Sequence, residues 1–276
     1  MKIAISSESS VDLDKVLLEK YDIHVIPYQI LLGDRIETDG QISPEEIFDY
    51  AQKNKILPKT SALNSEEYKY FFEELLKSYD KVIHLSLSSG ISSTFYNAQK
   101  AAEELENVTV IDSSSLSTGI GIKAIRLREL LESGMPEVEA IENIKNMKVQ
   151  VSALISKLDY MYKGGRCSSL AYFGANLLKL KPRIVVLDGK VKSSHIYRGN
   201  FEKAFKDYVL DTLKEFPAKK EFVSITYTTA SQELLNQAKE ICEEQGFKNV
   251  IFTQAGATVS CHCGENCIGI MYECLK

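Results

Sequence analysis

The chain has 276 residues, 44% apolar and 26% charged, enough for two domains with sizeable cores and without the bias of a disordered polymer. Its formal charge of −5, with the basic residues scattered, argues against a nucleic-acid partner, which would call for a basic balance or face. No run is long enough to cross a bilayer, which leaves at most transient membrane contact, and Met1-Lys2-Ile3-Ala4-Ile5 lacks the apolar stretch and cleavage site of an export signal.

Apolar runs in the first half alternate with capped amphipathic segments, the pattern of parallel strands joined by crossover helices. Strands are predicted at 2–5, 24–31, 81–85 and 108–111. Two helix starts are explicit. Ser43-Pro44-Glu45-Glu46 is a capping box with proline at the first helical position, and Asn64-Ser65-Glu66-Glu67 repeats the pattern. A longer helix over 116–133 ends near Gly134, and a surface helix covers 137–147. Past about residue 149 the texture changes. Strands at 150–155, 183–187, 221–227, 250–253 and 267–271 interleave with helices at 170–178, 201–215 and 231–245. The expectation is an α/β protein of two domains, 1–149 and 150–276. Six cysteines in a chain of this length do not make a disulfide scaffold, so reduced thiols and a cytoplasmic location are expected.

Polar clusters fall at the predicted strand ends, where an open α/β sheet places its ligands. Ser6-Ser7-Glu8-Ser9-Ser10 closes the first strand, and Pro58-Lys59-Thr60-Ser61 reads as a short loop before a helix. Ser86-Leu87-Ser88-Ser89-Gly90-Ile91-Ser92-Ser93-Thr94 closes the third. Hydroxyls and free amides at a helix start bind anions, although any one cluster also serves as a simple cap. Tyr162-Lys163-Gly164-Gly165-Arg166 sets two glycines between cations, which is either a connector or a backbone able to turn its amides toward an anion.

These stretches, in this order, resemble the DegV family of bacterial fatty-acid-binding proteins over nearly the whole chain. The likeness runs through Ser7-Glu8-Ser9-Ser10-Val11-Asp12-Leu13, Ile26-Pro27, Thr38-Asp39-Gly40, Lys59-Thr60-Ser61 and Ser88-Ser89-Gly90-Ile91-Ser92-Ser93-Thr94. It continues through Ile111-Asp112-Ser113, Lys163-Gly164-Gly165-Arg166, Lys181-Pro182, Asp188-Gly189, Arg198-Gly199 and His262. The resemblance implies an N-terminal three-layer α/β/α domain with a parallel sheet and a C-terminal two-layer α/β domain with a mixed sheet. It also implies a long-chain fatty acid held in an apolar tunnel between them. The carboxylate is then presented to a separate fatty acid kinase catalytic subunit, which supplies the ATP site and makes the acyl phosphate. On that reading Thr60, Ser61, Ser92 and His262 hold the carboxylate, and Gly164, Gly165, Arg166 and Arg198 form the head-group rim or kinase contact. The chain itself is then a lipid-transport and substrate-presenting subunit, with no catalytic residues and no cofactor beyond the bound lipid.

The chain departs from the family pattern twice. Ser93 stands where the family usually has glycine, and Cys261-His262-Cys263-Gly264-Glu265-Asn266-Cys267 replaces the usual His-Thr-Gly-Pro-Gly. Three thiols and an imidazole invite a zinc reading, but the run is cramped for tetrahedral chelation and no second Cys-x-x-Cys completes it, so no metal is expected. A redox or reactive-thiol role and buried cysteines acting as small hydrophobes are the other readings, the last being preferred. Gly119-Ile120-Gly121 is a poor dinucleotide fingerprint, because it lies beyond its strand without the acidic partner, and no P-loop is present. The rival from another class is a lipid or acyl-ester hydrolase with Ser92 as nucleophile beside His262 and Asp112, although no Gly-x-Ser-x-Gly elbow frames any serine. His24, His84 and His195 read as structural or surface residues.

Overall fold

The computed structural model describes residues 1–167 and 180–275. The helix predicted at 170–178 lies outside the described residues. Four strands, β1 (Ile3–Glu8), β2 (Ile23–Ile26), β6 (Lys81–Ser86) and β7 (Val108–Asp112), form a parallel sheet in the order β2-β1-β6-β7. The predicted strand at 24–31 divides at Pro27, whose nitrogen cannot donate to a ladder. Its second part, β3 (Gln29–Leu32), leaves the parallel sheet and pairs antiparallel with β4 (Arg35–Thr38) and β5 (Lys59–Ser61). Thr60 and Ser61 therefore sit on a strand rather than in the loop read from sequence.

Helices α3 (Ser65–Leu76), α4 (Thr94–Ala102), α5 (Thr118–Glu132) and α6 (Glu137–Asn146) cover the parallel sheet in a three-layer α/β/α unit, with α1 (Lys15–Lys20) against β2. Both predicted capping boxes are present. The Ser43 hydroxyl accepts from the Glu46 amide at 3.2 Å while Glu46 accepts from the Ser43 amide at 2.9 Å, starting α2 (Pro44–Asn54); Asn64 and Glu67 do the same for α3. The core packs the apolar strand faces, such as Ile5, Ile83 and Leu85, against Tyr68, Phe72, Ile120 and Leu127.

The second sheet is six-stranded and mixed. It comprises β8 (Val149–Leu154), β9 (Lys181–Leu187), β10 (Lys190–Tyr197), β11 (Phe222–Tyr227), β12 (Asn249–Gln254) and β13 (Ile268–Glu273), in the order β10-β9-β8-β13-β11-β12. Only β11 and β12 run parallel. Alternation along the strands gives each face its own task. Leu154, Val223, Ile225, Ile268 and Ile270 pack on α8 (Phe201–Glu215) and α9 (Gln232–Glu244). Val151, Ala153, Ile184, Thr226 and Met271 face the other way, toward the parallel-sheet unit. Helix α5 touches both sheets, packing on β1 and β6 and also on β8 and β13. Two short helices complete this side of the molecule: α7 (Leu158–Lys163) and α10 (Ala257–Cys263).

Candidate functional site

A two-part cavity lies between the sheets. The first compartment, with an empty volume of about 600 Å³, is walled by Thr60, Ser61, Ser92, Thr258 and His262 among apolar neighbours. The second, about 510 Å³, is almost wholly apolar, with Val151, Ala153, Ile155, Ile184, Val186 and Met271 on its walls. They share Leu116, Met161, Val191, Val259 and Cys263, so one apolar passage continues from the other. One end offers hydroxyls, a ring nitrogen and the Arg166 guanidinium; the rest of the wall is almost entirely apolar surface.

The polar end is assembled from distant parts of the chain. Strand β5 brings Thr60 and Ser61, the loop after β6 brings Ser92, and α10 brings His262. His262 Nε2 lies 2.9 Å from Thr60 Oγ1, while its Nδ1 is buried with no partner. A buried unpaired N–H costs more than an unpaired lone pair, which assigns the proton to Nε2. Nε2–H then donates to Thr60, and the Thr60 hydroxyl proton is left for the cavity. Burial, and secondarily the Arg166 charge, pull the His262 pKa from 6.5 to about 4, so the ring is neutral at pH 7.

Ser92 is prepared in the same sense by residues that sequence reasoning missed. Tyr28 Oη donates to Thr94 Oγ1 at 3.1 Å, and Ser92 Oγ lies 2.8 Å from Thr94 Oγ1 and 3.3 Å from the Thr94 amide. With Tyr28 donating to Thr94, the arrangement that uses every donor sends the Thr94 proton to Ser92 and leaves the Ser92 proton pointing onward. Ser92 is therefore a donor, and among the described residues no imidazole or carboxylate accepts from it, as a nucleophilic serine would require. His262 is engaged with Thr60, and Asp112 accepts instead from the amides of Ser89 and Ser114.

Beneath the Ser92 loop lies a fully buried pair. Glu8 Oε1 accepts from Tyr68 at 2.7 Å and Ser86 at 2.8 Å and lies 2.9 Å from His84 Nε2, while Oε2 accepts from the Leu87 amide at 2.9 Å. Burial pushes the Glu8 carboxyl up, but His84 and these donors outweigh it and hold the group below its ordinary value. The Leu87 bond ties the start of the loop to β1. Farther along, Ser88 Oγ donates to the Gly189 carbonyl at 2.7 Å, and a Cβ on Gly90 would sit 2.5 Å from that same oxygen. This contact explains why a glycine stands in the loop.

The double glycine has a different role from an amide nest. Gly165 adopts φ +71°, Gly165 N donates to Tyr162 O at 3.0 Å and Arg166 N to Met161 O at 3.3 Å, a Schellman closure of α7. Those amides are occupied. Gly164 packs against the His262 ring, where a Cβ would lie 2.9 Å from Nδ1. Arg166 is exposed, lines the polar compartment and donates to the Gly164 carbonyl at 2.7 Å. Arg198 is exposed beyond the end of β10 and is not among the lining residues. Ser93 is exposed at φ −74°, so the position makes no demand for glycine and adds nothing to the wall.

Asp12 and Asp39 belong to the motifs read from sequence without a role, and the structure supplies one. Asp39 accepts from the Ala257 amide at 2.9 Å, the Thr258 amide at 3.3 Å and the Ser9 hydroxyl at 2.7 Å; Asp12 accepts from the Gly256 amide at 2.8 Å and from Ser117. Two carboxylates from the first half of the chain thus cap the helix carrying His262. Burial pushes the Asp12 carboxyl up to about 7 against its hydrogen bonds. Among the described residues, no group of three or more His, Cys, Asp or Glu side chains is placed to hold a metal ion, and no helix is long and apolar enough to cross a membrane.

Comparison with known proteins gives one consistent result. The model of the family described as "Uncharacterised protein, DegV family" matches residues 2–274. A DegV domain-containing protein of Staphylococcus aureus is 30% identical over 276 residues, covering 98% of each chain. A Thermus thermophilus structure described as fatty acid binding of a DegV family protein superposes with a TM-score of 0.88 at 25% identity over 100% of both chains. The Bacillus subtilis structure of DegV, described as a fatty acid binding protein, gives 0.86 at 26% identity, again over 100% of both.

Proposed function

Because the chain belongs to the DegV family, we propose that it binds a long-chain fatty acid, its carboxylate at Thr60, Ser61, Ser92 and His262 and its tail in the apolar compartment. The observation that carries this reading is the junction of a polar end, built of hydroxyls and a neutral imidazole, with a passage of apolar walls. Each buried CH₂ contributes about 0.8 kcal/mol, so a long chain supplies on the order of 10 kcal/mol before ordering costs, and the head group needs only to orient. Neutral donors suit an anion that changes from carboxylate to acyl phosphate, since they do not lock one geometry as a bidentate arginine does.

The protein then acts as a cytoplasmic carrier that presents the carboxylate to a separate fatty acid kinase. Gly164, Gly165, Arg166 and Arg198 form the rim or kinase contact, and catalysis and ATP belong to the partner. The buried, unbridged thiols of Cys242, Cys261 and Cys263 support a reducing location. We place the division between the two domains between residues 149 and 150, one residue into β8.

Native mass spectrometry of the purified protein is expected to show one fatty acid per chain. Covalent labelling of Ser92 by a fluorophosphonate would instead establish the hydrolase. Tyr28→Phe removes the donor that sets the Ser92 proton outward, at about 1 kcal/mol, and should raise the fatty-acid Kd roughly fivefold in a fluorescent-displacement titration. An unchanged Kd would detach Tyr28 from the head-group site. Arg166→Ala should leave lipid binding intact and slow kinase-dependent acyl phosphate formation on the order of tenfold; equal rates would remove Arg166 from the rim contact.

A further inference from the structure

The cysteines of the 261–267 run divide between two environments. Cys261 packs in the cluster of Ile30, Ile47 and Phe48, whereas Cys263 and Cys267 both line the apolar compartment, and Cys263 lines the polar one too. Both thiols are buried, and both pack in one apolar cluster with Ile155, Met161 and Ile184. The residues between them are pinned. Thr228 Oγ1 donates to the Gly264 carbonyl at 2.6 Å and accepts from the Cys267 amide at 3.3 Å. Ser156 Oγ donates to the Glu265 carbonyl at 2.9 Å, and the Asn266 amide donates to Thr229 Oγ1 at 2.9 Å. Two sulfurs four residues apart on one wall, on a segment pinned in this way, lose little further freedom on joining.

We propose that Cys263 and Cys267 form a redox site in the tunnel wall, which a fatty acyl hydroperoxide seated in the tunnel converts to an intramolecular disulfide. The proposal rests on the reading that the tunnel takes an acyl chain. Cys263 lines both compartments and meets the incoming hydroperoxide first, so its sulfur is the attacking atom; the neighbouring Cys263 and burial push the Cys267 thiol pKa up, so Cys267 keeps its proton for the second step. The Cys263 sulfur bonds to the terminal hydroperoxide oxygen, the O–O bond breaks, and the departing alkoxide takes the thiol proton to become the alcohol. Cys267 then attacks the sulfenic sulfur, the S–O bond breaks, and the oxygen leaves with the Cys267 proton as water. Two thiols lose two electrons and the hydroperoxide gains them. Hydrogen peroxide reacts at the same sulfurs more slowly, because nothing on these apolar walls draws it from water, whereas the lipid peroxide is carried in by burial of its chain.

The test mixes reduced, lipid-free protein with linoleic acid hydroperoxide or with equal hydrogen peroxide, and reads the products by intact mass and non-reducing peptide mapping. A Cys263–Cys267 disulfide is expected, formed at least about tenfold faster with the lipid peroxide and slowed by prior loading with stearate. Cys267→Ser should stop at a sulfenic acid on Cys263 that dimedone captures, while Cys261→Ser leaves the rate unchanged. Equal rates with the two peroxides, a bridge to another cysteine or unreacted thiols would overturn the proposal. Native mass spectra of the same samples separate the causes: bound lipid with unreacted thiols sinks the redox site alone, and no bound lipid sinks the carrier reading together with it.

Discussion

His262→Ala is expected to raise the fatty-acid Kd about 10–100-fold, the equivalent of 1–3 kcal/mol, in a titration with delipidated protein. The ring lines the polar compartment and, by donating to Thr60 at 2.9 Å, sets the Thr60 proton toward the ligand. Its loss removes both. Thr60→Val should reproduce part of the effect, and lipid occupancy equal to wild type in both variants would exclude this pair from the head-group site. Acid provides an independent reading. The folded pKa of about 4 lies below the unfolded 6.5, so the unfolded chain takes the proton first. The stability due to the neutral ring is complete above pH 6.5 and is lost as pH falls toward 4, on the order of 3 kcal/mol over that window. His262→Gln should remove this share of the acid sensitivity in denaturant titrations at pH 7 and pH 4. A variant with the wild-type difference between the two pH values would mean that the ring is not held neutral by burial.

Much of the fold was legible because its signals are local. The capping boxes at Ser43 and Asn64 name their own helices, and the apolar runs of β1, β6 and β7 name a buried parallel sheet. Elements whose causes lie far off in sequence were not legible. Strand β10 is an edge strand with Lys190, Lys192 and His195 exposed and a register shift between Ser193 and His195, so it lacks an apolar run. Helix α10 begins at Gly256 with no side-chain cap of its own, because its caps come from Asp12 and Asp39, more than two hundred residues earlier. The site divides in the same way. Thr60, Ser61, Ser92 and His262 were named from motif order, and the structure brings them to one compartment. Tyr28 and the donor directions depend on contacts that sequence adjacency does not encode. The double glycine was ambiguous for a physical reason: the backbone freedom that permits an anion nest also permits a helix closure, and the closure is what forms.

Asp39→Ala should lower stability by about 3–5 kcal/mol and, in the same protein, loosen lipid binding. A seven-residue helix does not stand by itself, and its first amides have no partners within the helix. Asp39, buried at 6% exposure, takes two of them and the Ser9 hydroxyl. Alanine leaves those donors buried and unpaired, with no replacement among the apolar side chains of the adjoining cluster. At roughly 2–4 °C per kcal/mol for a chain of this size, Tm should fall by about 6–20 °C in a thermal melt. Asn at the same position keeps an acceptor oxygen but loses the charge that complements the helix start, and should fall by less than half as much. Because α10 carries His262, the alanine variant should also bind lipid more weakly at a temperature where it is fully folded, approaching the affinity of His262→Ala. The double variant should then be less than additive in binding while remaining additive in stability, since one change acts through the other only at the head group. A Tm within 2 °C of wild type would show that the two halves of the chain are not joined through this carboxylate, and full binding additivity would show that Asp39 does not position His262.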